Sequence, residues 1–233
     1  LKIIGINQHV GSLYMVPDPF IAAIKNFLRI ARRFPDLEFI DFGGGFGTPY
    51  HKLSGEEPFD IDLLSREMEP ILDEFVEDYG YAPLFKSEPG RYCVSESSVI
   101  LGRVFATKSN YGHKYAGTDI GMNVLARPTL YDSWHDIEII RDNKVISASE
   151  GTEIVTVTGN ICESGDILAK DRELPVIKTD DLIAVLDAGA YGYSMSSSYN
   201  LRPKCAEVMI CSDGSVKLIR RRETFEDLIS LFC

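Results

Sequence analysis

A parallel α/β layer followed by a β-rich region is the fold class this sequence predicts, on three observations. Over the first ninety or so residues short apolar runs alternate with helical patterns, as in consecutive parallel βα units. Beyond about residue 95 helical spacing gives way to short β-rich segments separated by turn residues. No internal repeat or low-complexity linker interrupts the chain.

Residues 2 to 10 form the first apolar run and predict a strand. Asp18 is placed to cap a helix with Pro19 at its first position, and Phe20, Ile24, Phe27, Leu28 and Ala31 then recur at helical spacing. Leu37 to Phe42 predicts a second strand ending in glycines. Leu64, Met68, Ile71, Leu72, Phe75 and Tyr79 mark one face of a second helix, with a kink expected at Pro70. Ala82 to Lys86 predicts a third strand. Further strands are expected near 98–107, 117–122, 153–158, 182–187, 206–211 and 215–220, with turns at Asp142-Asn143 and Ser212-Asp213-Gly214 and a short closing helix from Glu223 to Phe232. These segments predict an antiparallel β-domain. Three parallel strands and two helices do not close a barrel, which takes about eight strands, so further strands are expected to complete the first layer.

Composition narrows the partners. The 233 residues are 45% apolar and 25% charged, which is ordinary for a globular chain. A net charge of -11 with scattered Lys and Arg opposes binding to a phosphate backbone, so no nucleic-acid partner is expected. No segment approaches the roughly 20 apolar residues needed to span a bilayer, and the first residues do not read as a signal peptide, so no membrane partner is expected. Five cysteines, at 93, 162, 205, 211 and 233, show no zinc spacing and make a poor disulfide framework. A cytoplasmic protein without a metal site is the expectation.

Chemistry-bearing residues gather at the predicted strand ends. The first strand ends in His9-Val10-Gly11-Ser12. The second ends in Asp41-Phe42-Gly43-Gly44-Gly45-Phe46-Gly47, where glycines allow backbone amides to approach an anion such as a phosphate; a flexible turn is the alternative. The third ends in Ser87-Glu88-Pro89-Gly90-Arg91, an acid and a guanidinium where barrel active sites lie. Farther on come Ile161-Cys162-Glu163-Ser164-Gly165-Asp166 and Asp187 to Asn200. Singly, His9 reads as a core histidine, Glu88 as a surface acid, Tyr191 as a packing tyrosine and Cys162 as a buried hydrophobe; the three adjacent strand ends, taken together, present their groups toward one place.

In this order the segments HVGS, DFGGGFG, EPGR, ICESGD and DAGAYGYSMSSSYN resemble the fold-type III pyridoxal-phosphate (PLP) decarboxylases, the group that contains diaminopimelate, ornithine and arginine decarboxylases. The resemblance covers essentially the whole chain. It implies that residues 1–93 are the C-terminal part of a PLP-binding (β/α)8 TIM barrel and that residues 94–233 are a C-terminal β-domain. It further implies that His9 stacks on the cofactor ring and that Ser12, the amides of Gly44 and Gly45, Gly90 and Tyr191 surround its phosphate. Glu88 would pair with the ring nitrogen, and Arg91 would serve either the phosphate or a substrate carboxylate. Cys162 would act from the neighbouring subunit of a homodimer, giving a proton to the reacting carbon after CO2 leaves, while Asp166 would make an ion pair across the dimer.

Substrate choice also follows from the resemblance. Glu163 would hold a distal ammonium, and the segment from Arg127 to Tyr131, with Arg127 and Tyr131 as the contacting groups alongside Tyr191, would receive a distal carboxylate. Both features suit meso-2,6-diaminopimelate, with L-lysine and CO2 as products. The alternatives are another amino acid of the ornithine, arginine or carboxynorspermidine group, or a non-catalytic module. Two departures stand out. Asn7 occupies the place of the family's second histidine, and no segment resembles the Tyr-Ala-Val-Lys-Ala-Asn stretch that carries the cofactor lysine. The expectation is therefore a C-terminal portion that is inactive alone.

Overall fold

A computed structural model describes residues 1–232, which fall into two compact units, Leu1–Glu96 and a second beginning at Ser97. In the first, strands β1 (Gly5–Asn7), β2 (Phe39–Asp41) and β3 (Leu84–Lys86) pair in parallel in the order β1-β2-β3, with Gly5 opposite Phe39 and Phe39 opposite Leu84. All three strands are shorter than the apolar runs that predict them, because ladder hydrogen bonds, not hydropathy, set their ends. Helix α1 (Asp18–Ala31) precedes β2 and α2 (Ile61–Tyr79) precedes β3. The predicted face of α1, Phe20, Ile24, Phe27, Leu28 and Ala31, is buried throughout. It meets Leu37, Ile40, Phe42, Phe46, Leu64 and Phe75 in one core. Met68, Ile71, Leu72 and Tyr79 of α2 pack at its margin.

The helix ends show where local chemistry decides. Asp18 is not the cap of α1: the helix starts one residue earlier than expected, with Pro17 as N-cap and no side-chain capping bond. The α2 terminus is capped by Asp60, whose Oδ1 accepts the Leu63 amide at 2.7 Å. Gly80 closes it in the left-handed region, φ 87°. The helix runs unbroken through Pro70.

The second unit is built on a seven-stranded sheet, preceded in sequence by the short helix α3 (Gly90–Val94) of the first unit. Its strands are β4 (Ile100–Asn110), β5 (His113–Thr118), then helix α4 (Arg127–Tyr131), β6 (Ile137–Arg141), β7 (Lys144–Val145), β8 (Thr152–Thr158), β9 (Ile167–Pro175) and β10 (Leu182–Val185). Their order is β7-β6-β10-β4-β5-β8-β9. Val104, Ala116, Ile137, Ile139, Val155, Val157, Leu168, Ile183 and Val185 form its core. Strands β11 (Glu207–Ile210) and β12 (Val216–Arg220) make a separate hairpin, and helix α5 (Phe225–Ile229) follows.

Three expectations are corrected here. The sheet is mixed, not purely antiparallel, since β5 and β8 pair in parallel. The strand expected at 117–122 lies earlier, at His113–Thr118, as the continuation of a hairpin whose tip is Tyr111-Gly112, both at positive φ. Strands β6 and β9 went unpredicted, because charged residues such as Glu138, Arg141, Lys170 and Asp171 interrupt their apolar pattern. The turn at Asp142-Asn143 is present, with both residues in the left-handed region (φ 51° and 60°), as a two-residue hairpin linking β6 to β7 requires. The four described cysteines, Cys93, Cys162, Cys205 and Cys211, are free thiols; Cys233 lies outside the described residues.

Candidate active site

At the C-terminal ends of β1, β2 and β3 the following loops are joined backbone to backbone. Gln8 N donates to Asp41 O (3.0 Å), Phe42 N to Lys86 O (3.0 Å) and Glu88 N to Gly43 O (2.9 Å), while Tyr14 N donates to Gly45 O (2.9 Å). The glycines explain the closeness. A β-carbon on Gly43 would collide with the Gln8 carbonyl oxygen, one on Gly44 with that of Glu88, and one on Gly45 with that of Gly11. Gly43 and Gly45 also hold φ of 74° and 105°, where side chains are disfavoured. These glycines therefore let three loops touch, a use that the sequence reading, concerned with anion approach, did not anticipate.

The consequence is that His9, Gly11-Ser12, Gly44, Gly45 and Glu88 occupy neighbouring loops at one end of one sheet. His9, Ser12 and Glu88 are exposed there. Gly90 and Arg91 begin α3, and Arg91 Nη1 donates to Tyr50 OH at 2.9 Å with its guanidinium over the Tyr50 ring. Gln8, which opens the first of these loops, has a buried Nε2 without a hydrogen-bond partner among the described residues. An imidazole, a hydroxyl, loop amides and a guanidinium, with a carboxylate as acceptor, form a set of groups that fits a phosphorylated nitrogen heterocycle.

A second cluster lies wholly within the second unit. Arg127 opens α4 and is buried, 2% exposed, with Nη1 2.7 Å from His135 Nε2. His135 Nδ1 lies 2.8 Å from the Leu186 carbonyl, which can only accept. The proton therefore sits on Nδ1, and Nε2 presents a lone pair to Arg127. His135 is itself buried, and its own carbonyl accepts from Arg172 Nη2 at 2.7 Å. Burial pulls the Arg172 guanidinium down to about 10, against the opposing pull of Asp136. At the other end of α4, Tyr131 is exposed.

The loop from Gly159 to Asp166 joins β8 to β9 and carries the thiol. Thr129 of α4 donates through Oγ1 to Gly165 O at 2.8 Å, so the Arg127–Tyr131 segment and the Cys162-Glu163 segment are tied together. Cys162 and Glu163 are exposed, and Glu163 Oε1 accepts the Gly165 amide. Asp166 closes the loop. It is 4% exposed, and its two oxygens accept the amides of Met122 (2.6 Å) and Ile161 (2.7 Å), anchoring the loop within its own unit. Tyr191 follows β10 with φ 64° and is exposed. Tyr50, His135 and Asn200, whose Oδ1 accepts the Cys162 amide at 2.9 Å, are residues the sequence did not single out. Tyr50 and Asn200 act on neighbours about forty residues away and His135 on one eight residues away, and no motif spacing carries such pairings.

The pyridoxal-dependent decarboxylases match the chain twice, through their pyridoxal binding domain over residues 1–95 and their C-terminal sheet domain over residues 91–189. The chain belongs to this pyridoxal-phosphate-dependent family of decarboxylases. Among its relatives are the diaminopimelate decarboxylases of Methanothermobacter thermautotrophicus, 43% identical over 97% of this chain and 52% of the relative, and of Archaeoglobus fulgidus, 40% identical over 97% and 53%. The crystal structure of diaminopimelate decarboxylase from Helicobacter pylori complexed with L-lysine is 33% identical, covers 99% of this chain and 54% of that one, and superposes with a TM-score of 0.83. The chain spans about half the length of the curated relatives it matches.

Proposed function

We propose that the whole protein decarboxylates meso-2,6-diaminopimelate to L-lysine and CO2. The observation that carries this reading is the pair of charges the chain offers, Arg127 with Tyr131 on α4 and the exposed Glu163 on the thiol loop, which meet at one substrate when the loop comes from a partner subunit. A cation and a phenol on one side and a carboxylate on the other suit a substrate whose far end bears both a carboxylate and an ammonium. The names of the relatives point the same way.

Pyridoxal phosphate, when bound, supplies the electron sink that permits loss of CO2 from an α-carbon. In this reading Ser12, the Gly44 and Gly45 amides, Gly90 and Tyr191 hold its phosphate, and Arg91 lies within reach of phosphate or substrate. His9 covers the ring face, and Glu88 holds a proton at the ring nitrogen. Arg127, Tyr131 and Tyr191 receive the distal carboxylate, with the Arg127 guanidinium oriented by the neutral His135. Glu163 receives the distal ammonium. As the carbon–carboxylate bond breaks and CO2 departs, Cys162 gives its thiol proton to the carbon left behind. Cys162 and Glu163 serve the site of a partner subunit in a homodimer. The setting is the cytoplasm, with neither nucleic acid nor membrane as partner; among the described residues no helix is long and apolar enough to cross a membrane.

The test is CO2 release by the whole enzyme from diaminopimelate, ornithine and arginine in competition. Diaminopimelate is expected to dominate, and Glu163→Gln to raise its KM roughly tenfold or more through loss of a charge-assisted bond. Preference for ornithine or arginine, or an unchanged KM in the variant, overturns the assignment.

A further inference from the structure

We infer that Asn200 is a positioning residue for Cys162, setting where the thiol stands by gripping the backbone of the same residue. This deepens the decarboxylase reading and rests on it for the role of Cys162. Three features carry it. The Asn200 Oδ1 accepts the Cys162 amide at 2.9 Å, across 38 residues of chain. Both ends of the thiol loop are held by Asp166, through Ile161 N to its carboxylate and Gly159 N to its carbonyl (3.0 Å), and the Asn200 bond fixes the tip between them. Asn200 and Leu201 stand side by side in the left-handed region, φ 55° and 54°, a costly arrangement for leucine that persists where surrounding contacts impose it.

That backbone turn aims the Asn200 amide at the loop. Cys162, Asn200, Arg202 and Phe225 line an open cavity of about 470 Å³, so the tether sits where the thiol faces space for a reacting group. Asparagine meets both demands at once, because it tolerates positive φ and carries an acceptor two bonds beyond Cβ. Glycine would keep the conformation and lose the acceptor, whereas aspartate would keep the acceptor. A proton donor must stand within hydrogen-bond reach of its target, and a loop free to drift spends less time there.

The experiment compares Asn200→Gly and Asn200→Asp in the whole enzyme loaded with pyridoxal phosphate. Asn200→Gly is expected to speed amide hydrogen exchange at Cys162 about tenfold and to lower kcat about tenfold, with KM within about twofold of wild type. Asn200→Asp is expected to restore the exchange protection and most of kcat. Wild-type exchange at Cys162 in Asn200→Gly, or equal damage in both variants, overturns the inference. A wild-type enzyme that releases no CO2 from diaminopimelate sinks the substrate reading instead, and exchange at Cys162 in the two variants still decides the tether.

Discussion

Asp166 takes two backbone amides with one carboxylate, and Gly121 and Gly159 pack so closely against it that a β-carbon on either would strike its oxygens. Asparagine in its place offers one acceptor and turns an NH2 toward the second amide. Asp166→Asn is therefore expected to cost about 2–3 kcal/mol, read as a lower urea midpoint with unchanged slope. Glu153 shows a different balance. Burial alone would raise its pKa, but the bonds from Lys114 Nζ (2.6 Å) and the Ile177 amide (2.9 Å) outweigh it, and the carboxylate ends below its ordinary value of 4.5. A depressed acid adds stability that is present above that ordinary value and lost as pH falls through the folded one. Lys114 is half exposed, which screens the pair, so the contribution is at most about 1 kcal/mol. Urea stability measured from about pH 5 down to about pH 3 should fall less in Glu153→Gln than in wild type, because the variant has no carboxylate there to protonate.

Helix α2 carries Pro70 at its middle, where the missing N–H removes the bond to the Arg66 carbonyl. The helix forms regardless, because Leu64, Met68, Ile71, Leu72 and Phe75 are drawn into the core and the Asp60 cap and Gly80 terminus define its ends. Pro70 is exposed, so its replacement disturbs little packing. Pro70→Ala should raise stability by about 1–3 kcal/mol, seen as a higher Tm in calorimetry. The strand ends obey a different rule. Three-residue strands fix few hydrogen bonds, and the site loops owe their mutual position to glycines whose neighbours are carbonyl oxygens of other loops.

For the whole molecule, a homodimer with shared sites has a specific signature. A protomer disabled at Glu88 and one disabled at Cys162 are each inactive alone if the two residues serve one site from different subunits. Random mixing then gives half heterodimers, each with one intact site, so activity should recover to about a quarter of wild type. Co-expression followed by a CO2 assay checks this, and no recovery on mixing removes the shared-site arrangement.

The apolar spacing of α1 and α2, the turns at Asp142-Asn143 and Gly214, and the five ordered motifs were legible in the sequence, because each is a property of residues close along the chain. Strands β6 and β9 were not, since their charged residues find partners only in the folded sheet, as Arg141 does in Asp181 (2.7 Å). The same limit applies to the site. Residue types named His9, Glu88, Cys162 and Glu163, but only tertiary structure showed that glycines press three loops together, that His135 orients Arg127, that Asp166 anchors the thiol loop and that Asn200 holds its tip. Composition and periodicity report what a segment buries. Which hydrogen-bonding groups meet across tens of residues depends on the register of strands and the path of loops, and that is settled only when the chain packs.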